Sequence, residues 1–244
     1  MLEALLLDLD NTLLGNDMKR FMPRYFALLA EHMAPVTQEA GFEFVPAMIA
    51  ATRRVIANTR PELTNQALFW QALEEETGWD GAAHNGAAYL DAFYQGSYNQ
   101  LQAVTEFRPT AAALVDWAFA QGLQVVIATN PLFPQRAIER RLKWAGVPVE
   151  RYRYALVTHQ GNMHATKPTL AYYEEILTRI GRTAEGVLMV GDDWKNDILP
   201  AHTLGMSTYW IAAEETAVPP DPALCDAFGS LVLLYHKLQD GWLL

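Results

Sequence analysis

Two aspartates two residues apart, Asp8 and Asp10, end the apolar run ALLLDLD over residues 4–10. A carboxylate at such a position is costly unless a cation or a proton compensates it. Three more acids, Asp192, Asp193 and Asp197, end or follow the run VLMVGDD at 187–193. Thr129 closes the run LQVVIAT at 123–129 with Asn130 behind it, and Lys167 lies beyond the run YALVT at 154–158. In open parallel sheets ligands bind outside the carboxyl ends of the strands, so neighbouring strands here bring all these groups to one polar rim. Residues i and i+2 of an extended chain face the same side, which lets Asp8 and Asp10 reach one ligand from different angles. Five carboxylates in one crevice repel each other, and their pKa values rise unless protons or a cation intervene. With no His or Cys beside them the donors are hard oxygens, which suits Mg²⁺ better than Zn²⁺.

Elements that hold such a rim are legible around it. The four runs, with STYWI at 207–211, are continuously apolar, as strands of a parallel sheet covered on both faces should be. Helical stretches separate them. PTAAALVDWAFAQG (109–122) offers Thr110 as N-cap and Gly122 past its end, and NPLFPQRAIERRLKWAG starts at Asn130 and stops at Gly146. KPTLAYYEEILTRIG starts with Pro168 and stops at Gly181. Strand and helix in alternation spell a doubly wound α/β domain.

Residues 15–105 break that rhythm. The stretches at 21–33, 45–59, 63–78 and 85–101 each have helical periodicity, with no β-branched run between them. They predict an all-helical unit inserted after the first strand. The expected division is therefore 1–14 with 106–244 as α/β core and 15–105 as insert, with hinges at Leu14 to Asp17 and Thr105 to Pro109.

Bulk properties narrow the partners. The 244 residues carry a formal net charge of −10, which argues against nucleic acid, because no excess of Lys and Arg is available to neutralise phosphates. Cys225 is the only cysteine, so no intrachain disulfide is possible, and a small hydrophobe is the expected role for it. The start lacks a basic n-region, and no apolar stretch approaches the length of a membrane span. The chain reads as soluble and cytoplasmic.

Taken in order, Asp8-Leu9-Asp10-Asn11-Thr12, then Thr129, then Lys167-Pro168, then Gly191-Asp192-Asp193-Trp194-Lys195-Asn196-Asp197 resemble the four motifs of the haloacid dehalogenase (HAD) superfamily. The resemblance covers roughly 1–14 and 106–244, and an insert directly after the first motif is where that superfamily places its helical, C1-type cap. It implies a Rossmann-like parallel sheet flanked by helices, with an inserted all-helical cap domain. It also implies phosphoryl transfer through an aspartyl-phosphate, with Mg²⁺ as cofactor and a small phosphorylated metabolite as substrate. Asp8 would be the nucleophile and Asp10 the general acid and base. Thr129, the N–H of Asn130 at a helix N-terminus, and Lys167 would bind the transferring phosphate. Asp8, Asp192 and the Asp10 carbonyl would ligate the metal. Asp193 or Asp197 would support the metal site or anchor Lys167, and the sequence leaves open which.

The same residues bear on other chemistries. A 2-haloacid dehalogenase needs neither the second aspartate nor a metal, a phosphonate hydrolase would need a cap lysine where only Lys19 stands, and a phosphomutase shares all four motifs. A receiver-like, non-catalytic module gathers similar groups but is about half this length and has no helical insert. Singly, Thr129 reads as a turn residue, Lys167 as a solvated lysine and Asp193 as an N-cap. His159 and His164 read as loop polarity, Arg20 and Arg24 as solvated, and Arg53, Arg54 and Arg60 as a surface cluster. The aromatics Phe69, Trp70, Tyr89, Phe93, Tyr94 and Tyr98 read as packing inside the insert.

Overall fold

The computed structural model describes residues 1–212, 214 and 217–243. Strand β1 (Ala4–Leu7) is followed by the short β2 (Leu14–Asn16), then helices α1 (Met18–Ala40), α2 (Phe44–Ile56), α3 (Asn65–Thr77) and α4 (Gly86–Gln95). A 3₁₀ stretch, Ser97–Val104, leads into β3 (Thr105–Phe107). Beyond it run α5 (Pro109–Ala120), β4 (Gln124–Ile127), α6 (Gln135–Trp144), β5 (Leu156–Val157), α7 (Leu170–Ile180) and β6 (Val187–Gly191). The chain ends through α8 (Leu199–Thr203), β7 (Ser207–Ile211), β8 (Ala227–Gly229) and α9 (Leu231–Gln239).

Six strands form one sheet in the order β5-β4-β1-β6-β7-β8, with every pairing parallel. This is the expected Rossmann-like α/β fold. β1 is central and its four residues are all buried. Leu7 pairs with Ile127 on one side and Val190 on the other, so the carboxyl ends of three strands stop level with each other. Successive side chains feed opposite faces. Leu5, Leu7, Val125 and Ile127 pack with Leu114, Leu142 and Leu234, while Ala4, Leu6, Val126 and Met189 pack with Tyr172, Tyr173 and Ile176.

The insertion leaves and returns through a ribbon that the sequence reading took only as hinges. β2 and β3 pair antiparallel, with Leu14 opposite Phe107 and Asn16 opposite Thr105. α1 continues past Pro35 to Ala40, beyond the stretch its periodicity marks. Phe21, Tyr25, Leu29, Met33 and Thr37 recur every four residues on its buried face, and that packing outweighs the hydrogen bond Pro35 removes. The fourth helix breaks at Gly96 into the 3₁₀ stretch. Phe93, Tyr94 and Tyr98 are fully or nearly buried, as expected of packing residues, whereas Tyr89 is exposed.

Two helix starts differ from expectation. α5 has Arg108 as its N-cap residue and Pro109 in its first turn, so Thr110 lies inside it. α6 begins at Gln135, not Asn130. The residue before a proline avoids helical backbone, so Pro131 and Pro134 keep Asn130 and Phe133 out of the helix.

Tyr98 tests the insertion's packing. Its ring stacks on Trp144 at 5.3 Å and meets Tyr94 edge-on at 5.0 Å, while its buried hydroxyl has no partner among the described residues. Tyr98→Ala is expected to cost about 3–5 kcal/mol in urea unfolding. Tyr98→Phe, which removes an unsatisfied buried group, should stay within about 1 kcal/mol of the parent or exceed it.

Candidate active site

Asp8 follows β1 by one residue and still continues its ladder, donating its N–H to the Val190 carbonyl at 2.9 Å. The chain then folds on itself, with the N–H groups of Thr12, Leu13 and Leu14 all directed at the Leu9 carbonyl and Asn11 in left-handed backbone (φ 59°). Asparagine tolerates that conformation better than most residues. Among the described residues, the N–H groups of Leu9 and Asp10 have no protein acceptor.

Lys167 is the hub of the site. Its buried ammonium donates to Asp8 Oδ1 at 2.8 Å and to Asp197 Oδ1 at 2.6 Å. Burial works against its charge, but Asp197 and Asp8 outweigh it and hold the ammonium well above its ordinary pKa. Asp197 reaches Lys167 because a wide helical turn, Trp194–Ile198, runs directly into α8. Its other oxygen accepts the Asp193 N–H at 3.0 Å. Its side chain lies against the Cα of Gly191, where a Cβ would collide with it. Asp193 is exposed and caps the same turn, accepting from the N–H groups of Lys195 at 2.9 Å and Asn196 at 3.0 Å. The alternative left open by the sequence is thereby resolved in geometry: Asp197 anchors Lys167 and Asp193 is an N-cap.

Carboxylate oxygens of Asp8, Asp192 and Asp197 lie within 4.8 Å of one another. Burial pushes the Asp8 carboxyl up to about 7 despite Lys167. Asp192 is likewise pushed up to about 7, by burial first and by the charge of Asp8 second. Three acids against one lysine leave excess negative charge, which a divalent cation would neutralise. Both Asp197 oxygens are engaged, so Asp8 and Asp192 are the side chains with oxygens to offer. No backbone donor among the described residues takes the Asp10 carbonyl, which can join them. Hard oxygen donors of this kind fit Mg²⁺.

Asp10 does not share this cluster with its side chain. Its Oδ2 pairs with Arg141 of α6 and its Oδ1 accepts from Asn16 Nδ2 at 2.8 Å. Neither partner was foreseen. Arg141 lies on the buried face of α6 with Ala137, Ile138, Leu142 and Trp144. A charged residue in register with an apolar stripe was the available signal. Arg108 is a further unforeseen group, bracing the loop after Asp10 by donating to the carbonyls of Asn11 at 2.5 Å and Thr12 at 2.9 Å.

Thr129 is buried beside this group, its carbonyl held by Thr158 Oγ1 at 2.7 Å and the Tyr172 hydroxyl at 2.9 Å. Asn130 lies in the loop before α6 and not at a helix N-terminus, which corrects the expected electrostatic role of that terminus. Among the described residues no acceptor takes its N–H or the Thr129 hydroxyl. The weaker candidates stay apart. His159 is pushed down to about 4 by burial and accepts from the Gly161 N–H at 3.1 Å, while His164 pairs with Glu175 at 2.8 Å. Arg20, Arg24, Arg53 and Arg60 are exposed, and Arg54 pairs with Glu75 at the surface. Cys225 is half-buried, and burial pushes its thiol up.

In sequence, residues 2–205 match the haloacid dehalogenase-like hydrolases. The chain belongs to that family. No curated protein matches it in sequence. In structure it is similar to a 2-haloacid dehalogenase from Pseudomonas syringae pv. tomato DC3000, with TM-score 0.66, 20% identity and coverage of 98% and 99% of the two chains. It is also similar to a HAD phosphatase from Thermococcus onnurineus, with TM-score 0.57, 16% identity and coverage of 97% and 98%. The HAD hydrolase YfnB of Bacillus subtilis, solved with bound magnesium, gives TM-score 0.52 and 21% identity over 97% and 98%. At these identities the likeness speaks for the fold. No helix among the described residues is long and apolar enough to cross a membrane.

The raised carboxyls have a consequence for stability. Asp192 ionises near 3.8 when unperturbed but near 7 in the fold, so the native state binds its proton more tightly. Its contribution to stability is therefore lost as pH rises from about 4 to about 7. In chelator at pH 8, Asp192→Asn is expected to melt above the parent, with the gap closing at pH 4. Mg²⁺ should raise the melting temperature of the parent at pH 8 and leave Asp192→Asn unmoved, as followed by differential scanning fluorimetry. An unresponsive parent would remove the cation from the site.

Proposed function

We propose that this HAD-like hydrolase is a Mg²⁺-dependent phosphohydrolase acting on a small phosphorylated metabolite in the cytoplasm. One observation carries the reading: oxygens of three carboxylates lie within 4.8 Å of one another, and Lys167 pairs with only two of them, Asp8 and Asp197. Dehalogenation displaces halide without needing a cation, so it gives no use to that excess of negative charge. When bound, Mg²⁺ would neutralise Asp8, Asp192 and the incoming phosphate together.

The chain's own residues then divide the work. An Asp8 carboxylate oxygen forms a bond to phosphorus while the bond from phosphorus to the leaving oxygen breaks. Asp10 gives its carboxyl proton to that leaving oxygen. Water next attacks phosphorus, its proton passes to Asp10, and Asp8 departs with its electron pair to leave inorganic phosphate. Lys167, the Thr129 hydroxyl and the N–H groups of Leu9, Asp10 and Asn130 hold the phosphoryl oxygens. Residues 15–105 act as a cap that limits water and meets the rest of the substrate.

A second reading, 2-haloacid dehalogenation, is favoured by the engagement of both Asp10 oxygens, because that chemistry leaves Asp10 no proton to move. Two assays separate them. The phosphohydrolase should cleave p-nitrophenyl phosphate with Mg²⁺, lose that activity on chelation, and lose about a thousandfold or more in Asp8→Asn. Halide release from 2-chloropropionate without metal, and no phosphatase activity, would establish the dehalogenase instead.

A further inference from the structure

Arg141 is a costly residue to place where it stands. Its side chain is 1% exposed, its guanidinium lies over the Phe133 ring at 4.5 Å from the centroid, and its buried Nη2 has no partner among the described residues. Around it on α6 are Ala137, Ile138, Leu142 and Trp144, a setting in which an apolar side chain would pack without desolvating a charge. Buried ion pairs are often no better for stability than apolar residues of the same volume, so stability alone does not account for it. What the arginine does have is one acidic partner among the described residues, Asp10, two residues beyond Asp8.

The opposite side of that carboxylate is held too. Asn16 Nδ2 takes Asp10 Oδ1 at 2.8 Å, and Asn16 is itself tied by its N–H to Asn11 Oδ1 at 3.1 Å. Asn16 is 1% exposed and sits on β2, so the clamp is built into the ribbon that carries the insertion. Removing the Asp10 carboxylate from Arg141 would leave a buried charge uncompensated, and the pair therefore restricts where that carboxylate can go.

We propose that Arg141 is the positioning residue for Asp10: with Asn16 it sets the direction of the Asp10 carboxylate toward the reacting oxygen above Asp8. This rests on the phosphohydrolase reading. Arg141 does not itself touch substrate. Its effect reaches the chemistry through Asp10 and falls hardest on the step that has most need of a proton acceptor, hydrolysis of the aspartyl-phosphate.

p-Nitrophenyl phosphate separates that role from general structural damage. Its leaving group departs without a proton, so the phosphorylation step, read by kcat/KM, does not depend on Asp10. The hydrolysis step, read by kcat, does. For Arg141→Met we expect kcat to fall about ten- to a hundredfold while kcat/KM changes less than about threefold, with a nitrophenolate burst approaching one equivalent of enzyme. Asp10→Asn should give the same pattern, the double variant should add little to it, and Arg141→Lys should recover part of kcat. Where Arg141→Met does not fold, Asn16→Ala and Arg141→Lys carry the same split. Equal losses in kcat and kcat/KM without a burst, or an unchanged kcat, would overturn the positioning role while leaving the phosphohydrolase intact. A wild-type enzyme with no phosphatase activity would overturn both.

Discussion

The site turns on one buried cation. Lys167, with 2% of its side chain exposed, holds Asp8 and Asp197 at the carboxyl ends of the neighbouring strands β1 and β6. Neither carboxylate would be tolerated so deep without it, and the lysine would not stay charged without them. The fold serves this arrangement directly. β1 and β6 stop level, so Asp8 and the turn beginning at Asp192 face each other. Gly191 supplies the last requirement, since only a residue without a Cβ lets Asp197 lie across the strand end. The triad still leaves negative charge beside Asp192, which makes the cluster receptive to a cation and, once that is bound, to an anion.

Asp8 and Asp10 look alike in the sequence, and the fold treats them differently. Asp8 faces the interior hub of lysine and carboxylates. Asp10, two residues on and already in the turn that follows the strand, faces a second buried cation, Arg141. The pattern of two aspartates two apart thus resolves into two ion pairs on two different helical supports: Lys167 just before α7, and Arg141 within α6. Each aspartate is oriented by its own cation, which is how neighbouring like charges can take separate roles at one site.

Much of this was legible because it depends on local rules. Unbroken apolar runs locate β1, β4, β6 and β7, and the sheet rule then gathers Asp8, Thr129, Lys167 and Asp192 without knowledge of any contact. The misses have particular causes. Asn130 marks a helix start in the sequence because Pro131 behind it suits a first turn, but Pro134 defers α6 to Gln135. Asp193 and Asp197 could not be separated, because an irregular turn decides which one points inward. Arg141 was passed over since its partner is 131 positions away in sequence, and spacing rules do not reach that far. β2 and β3 are three residues each and exist only through pairing across the whole insertion.

The ribbon is not the insertion's sole attachment: Tyr98 stacks on Trp144 of α6, Asp91 of α4 pairs with Arg136 of α6, and the start of α3 is tied to the segment before Lys167. At the start of α3, the N–H groups of Asn65 and Gln66 donate to the carbonyls of Met163 and Gln160, both at 2.8 Å. The fully buried Asn65 side chain reaches on to the Ala165 carbonyl at 3.1 Å. These acceptors lie in the segment that ends at Lys167. A swing of the insertion about the β2–β3 ribbon must break both backbone bonds and bring the Asn65 amide into water, whereas Asn16 and its hold on Asp10 sit close to the pivot and move least. Such a swing would therefore disturb the loop that presents Lys167, and through Tyr98 on Trp144 it would also reach α6, which carries Arg141. Both cations of the site thus stand on or beside elements that the insertion touches, Lys167 beyond the segment held by α3 and Arg141 on the helix held by Tyr98 and Asp91.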